Sequence, residues 1–145
     1  NPAYDRSMKD SQPQQHEIIL WVIWFAYLQS MLAVQFFIGG GFPKGDNLDE
    51  PMTLSLWLAV FAPVLIATAL RWNFIRKLTR PSQQLLALIV GMALSELPLF
   101  ISLFLIGADY PQNQIACLII AFFCGIQYAP IYARSAVPQT KRNFD

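Results

Sequence analysis

Four long apolar runs decide what this chain can fold into. They span residues 18–38, 52–70, 85–106 and 115–133, and Glu96 is the only charged residue inside any of them. A helix needs about 20 such residues to cross the hydrocarbon of a bilayer. Strands of membrane barrels are about 10 residues long and alternate in polarity, a pattern that these runs lack. The sequence therefore predicts an all-α integral membrane protein with four transmembrane helices.

The remaining sequence is polar and divides the 145-residue chain. Residues 1–16 and 135–145 are rich in Gln, Ser, Pro and charge. Because such a composition cannot bury a core of its own, both segments are predicted to be polar cytoplasmic tails. The transmembrane domain is predicted at residues 17–134, with helices near 18–38, 52–70, 84–106 and 115–133.

The basic residues indicate the orientation. If the helices alternate in direction, every one of the ten Lys and Arg residues except Lys44 falls on the same side. Short basic loops stay in the cytoplasm, so both termini are predicted to be cytoplasmic, in a bacterial inner (plasma) membrane. The link between the second and third helices is predicted to attract anionic lipid headgroups. Its basic residues are Arg71, Arg76, Lys77 and Arg80.

Small residues recur at four-residue spacing on two of the helices. In lipid, such residues let helix backbones approach closely. The predicted packing positions are Cys117, Ala121, Gly125, Ala129 and Ala133 on the fourth helix, and Ala87 and Gly91 on the third. The contacts can form within one chain or between copies. Since several such stripes exceed what one small bundle needs, the pattern favours a homo-oligomer or a subunit of a larger membrane complex.

Several polar groups share the depth of Glu96. Counting from the outer helix ends at about 1.5 Å per residue places Glu96, Gln29 and Gln127 at similar depths. Pro98 and Pro130 have no amide hydrogen, so each frees the carbonyl four residues earlier. The candidate ion-binding residues are Glu96, Gln29, Gln127, Ser95, Leu94 and Ile126.

A carboxylate is costly in hydrocarbon, which favours its neutral form or a bound cation. One hypothesis is therefore that Glu96 reversibly binds a proton or a sodium ion. The alternative is that a protonated Glu96 only holds helices together through hydrogen bonds, as polar side chains do in membranes.

Residue types that enzymes and cofactor sites need are missing from the apolar runs. The only histidine, His16, lies outside them, which argues against His-ligated haem. Cys117 and Cys124 are about 10 Å apart along one helix, too far for a disulfide. There is no Ser/His dyad, phosphate loop or zinc-ligand spacing. We therefore expect no enzymatic activity, no metal site, no nucleic-acid partner, and no cofactor beyond a bound proton or sodium ion.

Residues 91–107, "GMALSELPLFISLFLIG", resemble the carboxylate-bearing helix of the proteolipid (c-type) subunits of rotary ATP synthases. That resemblance implies that Glu96 carries a proton or sodium ion, with Ser95 beside it. The layout, with "ALSE" in the third of four spans, also resembles a group of small bacterial membrane proteins of uncharacterised function. Four short helices with one intramembrane Glu are similar to small multidrug transporters, which implies proton-coupled transport.

Three functions therefore follow from the sequence. The chain is an oligomeric membrane subunit that binds a proton or sodium ion, a structural or accessory subunit of a larger complex, or a proton-coupled small-molecule transporter.

Overall fold

Four helices pack against one another as a bundle. The computed structural model describes residues 2–131, with side chains from residue 15 onward except that of Ala108. The helices are α1, Pro2–Phe37; α2, Leu54–Ala69; α3, Pro81–Ile101; and α4, Pro111–Ile126. Residues 2–131 contain no strand, so this part of the chain is all-helical, as the sequence predicts.

Two of the helices continue past their regular part. A π-helical turn, Leu70–Phe74, and a 3-10 turn, Ile75–Lys77, extend α2. A π-helical turn, Ser102–Ile106, extends α3, and it begins one turn after Pro98. Proline removes one hydrogen bond from the helical ladder, and wide turns of this kind accommodate such a break. Arg71, Arg76 and Lys77 thus lie on helical turns that continue α2, and not in the loop where the sequence placed them.

The helix ends differ from the predicted ones at both termini of the bundle. The first helix begins at Pro2, well before the predicted start near residue 18. The fourth begins at Pro111, in the first helical position that proline favours. It ends at Ile126 instead of near residue 133 because Pro130 cannot donate a helical hydrogen bond. Ala133 and the predicted tail at residues 135–145 lie outside the described residues.

Among the residues that the structure describes, three helical segments are long and apolar enough to cross a membrane: Gln15–Phe37, Leu54–Lys77 and Pro81–Ile106. The fourth, α4, is apolar but has only 16 residues, a length of about 24 Å. Large apolar side chains cover the outward faces of the helices, among them Val22, Leu58, Leu65, Phe104 and Phe123. Soluble monomers rarely expose so much contiguous apolar surface. The lengths and the surface are those of a helical integral membrane protein.

Contacts between polar side chains show which helix ends lie together. His16 lies 3.4 Å from Gln84, and the Gln84 amide donates to the carbonyl of Leu78 at 2.9 Å. The start of the first span and the α2–α3 link therefore share one end of the bundle, called here the inner end. At the other end, called the outer end, the Asn47 amide donates to Asn113 at 3.1 Å. The loops before α2 and before α4 meet there.

The core has three layers between these ends. The inner layer surrounds Tyr128 and contains Leu20, Ala67, Ile75, Leu88, Met92 and Cys124. The middle layer consists of Leu28, Met31, Leu99, Leu118 and Ala121. The outer layer consists of Met52, Val60, Ile106 and Cys117. Every layer draws residues from at least three of the four helices, so the bundle has one continuous core.

Candidate functional site

Glu96 lies half-buried on α3, next to a fully buried serine. The Ser95 hydroxyl donates to the carbonyl of Gly91 at 2.8 Å and accepts from the Cys124 thiol at 3.2 Å. Ser95 therefore faces α4. Glu96, one residue further along the helix, points about 100° away from it.

Tyr27 is a polar residue of α1 that lies near the Glu96 carboxyl. Its hydroxyl donates to the carbonyl of Met92 at 2.8 Å, one turn before Glu96, and it lies within electrostatic range of the acid. No hydrogen bond to the Glu96 carboxyl is present in the described part of the chain. The acid thus sits at the edge of the α1–α3 contact without a fixed partner among those residues.

Gln29 does not join Glu96. Its side chain is exposed on the outward face of α1, whereas Leu28, Met31 and Gln35 form the buried face. A shared depth does not fix the rotation of a helix about its own axis. In a single chain, Gln29 faces outward from the bundle.

The Gln127 side chain hydrogen-bonds to groups other than Glu96. Its side-chain amide donates to the Thr68 hydroxyl at 3.1 Å and to the Cys124 sulfur at 3.2 Å. Relative to the contact between Cys124 and Ser95, Gln127 lies toward the inner end and Glu96 toward the outer end. The bond to Thr68 fastens α4 to α2.

The two prolines have different effects. Pro98 is buried inside α3, where it cannot donate to the carbonyl of Leu94. Pro130 lies beyond the end of α4, and the carbonyl of Ile126 accepts a hydrogen bond from the amide of Ala129 at 3.0 Å. The prediction that Pro130 frees this carbonyl is wrong, because the chain leaves the helix before the proline. Of the six candidate ion-binding residues, Leu94, Ser95 and Glu96 are neighbours on one helix, and the Cys124 thiol links Ser95 to Gln127.

The inner end holds a site that the sequence did not indicate. Arg71 is only 7% exposed, and its guanidinium donates to the carbonyls of Gln127 at 2.6 Å and Ala129 at 3.4 Å. The last carbonyls of a helix have no partner within the helix, and a cation there also opposes the negative end of the helix dipole. Arg71 therefore caps α4, whereas the sequence assigned it to lipid headgroups together with three other basic residues. The other three, Arg76, Lys77 and Arg80, are exposed.

Two aromatic side chains complete this cap. The Trp24 indole donates to the carbonyl of Gly125 at 3.0 Å, and the hydroxyl of the fully buried Tyr128 donates to the carbonyl of Ala67. Trp24, Arg71 and Tyr128 are called here the inner clamp. Each joins a side chain to a backbone carbonyl of another helix, so the clamp ties α1, α2 and the end of α4 together.

Among the described residues, four of the predicted small-residue positions are buried inside the bundle: Gly91, Cys117, Ala121 and Gly125. Cys117 and Ala121 are fully buried in the outer and middle core layers. Gly125 packs against Tyr27 and Leu28, and Gly91 packs against the ring of Tyr128. Ala87 and Ala129 are half-buried. These stripes form contacts within one chain. They therefore do not provide the additional packing surface on which the sequence-based expectation of association between copies rests.

The chain matches no family model, no curated protein and no solved structure. A functional assignment therefore has to come from the positions of its own side chains.

Proposed function

We propose that this chain is a four-span membrane protein with both termini in the cytoplasm, and that it acts as a structural or accessory subunit of a membrane assembly. The inner end carries the exposed Arg76, Lys77 and Arg80, which supports a cytoplasmic location for that end. The outer end carries Lys44 among Asp46, Asp49, Glu50 and Asp109. In this orientation the exposed basic residues of the inner end remain available to anionic lipid headgroups.

The exposed amide of Gln29 is the observation that carries the assembly proposal. It lies on the outward face of α1, about 12 Å from the outer end of that span, and none of the described residues hydrogen-bonds it. Lipid chains cannot satisfy an amide, and each unsatisfied polar group in hydrocarbon costs about several kcal/mol. A partner helix with a polar group at the same depth would remove that cost.

A second copy of the chain meets this requirement. All copies insert in one orientation, so Gln29 lies at the same depth in each. An amide both donates and accepts, and two amides related by a two-fold axis along the membrane normal can satisfy each other. Exposed Ala26, Ser30 and Ala33 flank Gln29, and their small size permits close approach of two α1 helices.

Cysteine cross-linking in intact membranes tests this proposal. A Gln29→Cys variant is expected to form a disulfide-linked dimer under mild oxidation, because the two α1 faces meet. The matched control is Leu65→Cys, which places an exposed cysteine on α2. In native mass spectrometry, Gln29→Leu is expected to weaken the dimer by about 3- to 30-fold, corresponding to one interhelical hydrogen bond of about 0.6 to 2 kcal/mol. A cross-link only to a different protein would identify a hetero-complex. Monomers alone would refute the assembly proposal.

Reversible proton binding at Glu96 is a second candidate function. The observation that favours it is the half-buried carboxyl at the edge of the α1–α3 contact, with no hydrogen bond from the described residues. Such a group can exchange a proton without breaking a helix contact. The dispersal of Gln29, Gln127 and the carbonyl of Ile126 gives less support to a coordinated sodium ion. Proton-coupled transport of a small molecule would use the same carboxyl.

A hydrophobic carbodiimide tests the second candidate, since it reacts with protonated carboxyls inside membranes. Labelling is expected at Glu96, is expected to slow at high pH, and should disappear in Glu96→Gln. Glu50, exposed at the outer end, is the control carboxyl and should react only with a water-soluble carbodiimide. If Glu96 forms no adduct at any pH, its role is confined to helix packing.

A further inference from the structure

A cavity of about 350 Å³ lies at the outer end of the bundle. The end of α1, the end of the α3 extension and the start of α4 surround it. Its volume falls within the range of about 300 to 1,000 Å³ typical of ligand sites. The cavity is lined by both polar and apolar side chains. None of these lining residues belongs to the inner clamp or to the surroundings of Glu96.

Gln114 supplies the most specific feature of this cavity. Its side chain is only 5% exposed and lines the cavity wall. The Gln114 backbone amide donates within α4, to the carbonyl of Tyr110 at 2.9 Å, but the side-chain amide has no hydrogen bond to any described residue. The amide atoms are therefore accessible from the cavity. A guest with a hydrogen-bonding group in the cavity can pair with them.

Lys44 adds a positive charge to the same wall. The acidic residues of its loop do not line the cavity, and Asp46 instead accepts a hydrogen bond from Gln112 at 2.8 Å. An ammonium group and an amide donor that line one cavity suit an anionic oxygen of a phosphate or carboxylate, since charge-assisted hydrogen bonds are the stronger kind.

The other lining residues are apolar. Leu103 packs against Gly39, where an added Cβ would lie only 2.6 Å from a methyl carbon of Leu103. Ile38 and Phe104 also line the cavity and are 60% and 68% exposed. Both lie at the outer ends of membrane-spanning segments, so they face the zone where headgroups meet acyl chains.

We propose that this cavity binds the headgroup phosphate of an outer-leaflet phospholipid. Lys44 pairs with the phosphate, the Gln114 amide donates a hydrogen bond to one of its oxygens, and an acyl chain lies over Ile38 and Phe104. The apolar flanks distinguish a lipid from free phosphate, which would use the polar wall alone. The inference rests on the membrane placement proposed above, but not on assembly through Gln29.

Native mass spectrometry of the full-length chain, titrated with dioleoylphosphatidylglycerol in mild detergent, tests the proposal. Gln114→Leu and Lys44→Gln are each expected to weaken lipid binding by about 10-fold, the effect of losing one hydrogen bond or ion pair. The matched control is Gln83→Leu, which changes an exposed residue of the same type at the inner end. This control should bind lipid as the unmodified chain does.

Parallel titrations with inorganic phosphate distinguish the two sources of a phosphate. Lipid is expected to bind, and inorganic phosphate should not displace it. Displacement by inorganic phosphate at similar concentration would identify a free-anion site and overturn the lipid proposal. Equal lipid binding by all three variants would overturn the site itself. The oligomer masses in the same spectra report assembly separately, so a failure here is distinct from a failure of the Gln29 contact. If Gln114→Leu does not fold, Lys44→Gln decides the matter alone.

Discussion

Replacing Gly91 with alanine should reveal how tightly α4 is held. A Cβ at this position would lie 2.0 Å from one ring carbon of Tyr128 and 2.2 Å from the next. Non-bonded carbons prefer about 3.5 to 4.0 Å, so the ring would have to retreat by about 1.5 Å. Tyr128 is fully buried, and its hydroxyl donates to the carbonyl of Ala67. The ring therefore cannot retreat without breaking that interhelical hydrogen bond.

The expected cost combines three terms. Overpacking a core costs about 1 to 3 kcal/mol, and one interhelical hydrogen bond in a membrane protein contributes about 0.6 to 1.7 kcal/mol. Alanine in place of glycine within a helix returns about 1 kcal/mol through its higher helix propensity. We therefore expect Gly91→Ala to lower the free energy of unfolding by about 1 to 3 kcal/mol.

The sign of the effect should depend on Tyr128. In a Tyr128→Ala background the clash is absent, so Gly91→Ala should become neutral or stabilising, and the coupling energy of the double-mutant cycle should reach about 2 kcal/mol. Unfolding in mixed micelles of dodecyl maltoside and SDS, followed by far-UV circular dichroism, measures all four corners of the cycle. Ala93→Val, on the exposed face of the same helix, should change stability by less than about 0.5 kcal/mol. An equal cost of Gly91→Ala in both backgrounds would refute the reasoning.

Three further substitutions test the inner clamp and the outer loop by the same unfolding assay. Arg71→Gln removes the cap of α4 and should lower the free energy of unfolding by about 2 to 4 kcal/mol. The control Arg76→Gln, at an exposed residue, should lower it by less than about 0.5 kcal/mol. Equal effects of the two substitutions would refute a specific cap. Trp24→Phe removes only the donor to α4 and should cost about 1 kcal/mol, and an unchanged stability would show that this bond contributes nothing. Gly39→Ala forces a Cβ to within 2.6 Å of the Gln35 carbonyl oxygen and should cost about 1 to 3 kcal/mol; a stable variant would mean that the loop backbone shifts freely.

The helical fold was accessible from the sequence because its signal is long and cumulative. Runs of apolar residues indicate spans without any knowledge of their neighbours, and three helices have the required length. The helix ends were less accessible. Pro130 interrupts an apolar run whose hydropathy continues, so the sequence extended the fourth helix past Ile126, where the structure ends it.

Which residues of the site meet depends on how each helix is rotated about its own axis and on how far each side chain reaches. Counting residues from a helix end gives neither quantity. Gln29 and Glu96 share a level in the membrane, yet they face different surroundings because α1 turns Gln29 outward. Arg71 was missed for a related reason. A basic residue at the end of a span normally indicates the orientation of that span. The guanidinium of Arg71 can cap the carbonyls of Gln127 and Ala129 only because α4 ends early, at Ile126.

The shortness of α4 has a consequence for the surrounding bilayer. Its 16 residues cover about 24 Å, less than the roughly 30 Å of typical hydrocarbon. Lipids along this helix would have to shorten to match it, whereas lipids along the longer α3 would not. Hydrophobic mismatch of this kind costs a fraction of a kcal/mol per ångström and sorts proteins among membranes of different thickness. In the proposed four-span arrangement, the bundle would therefore present a shorter apolar surface to lipids along α4 than along α3, and the α4 side would favour neighbours of equally short span.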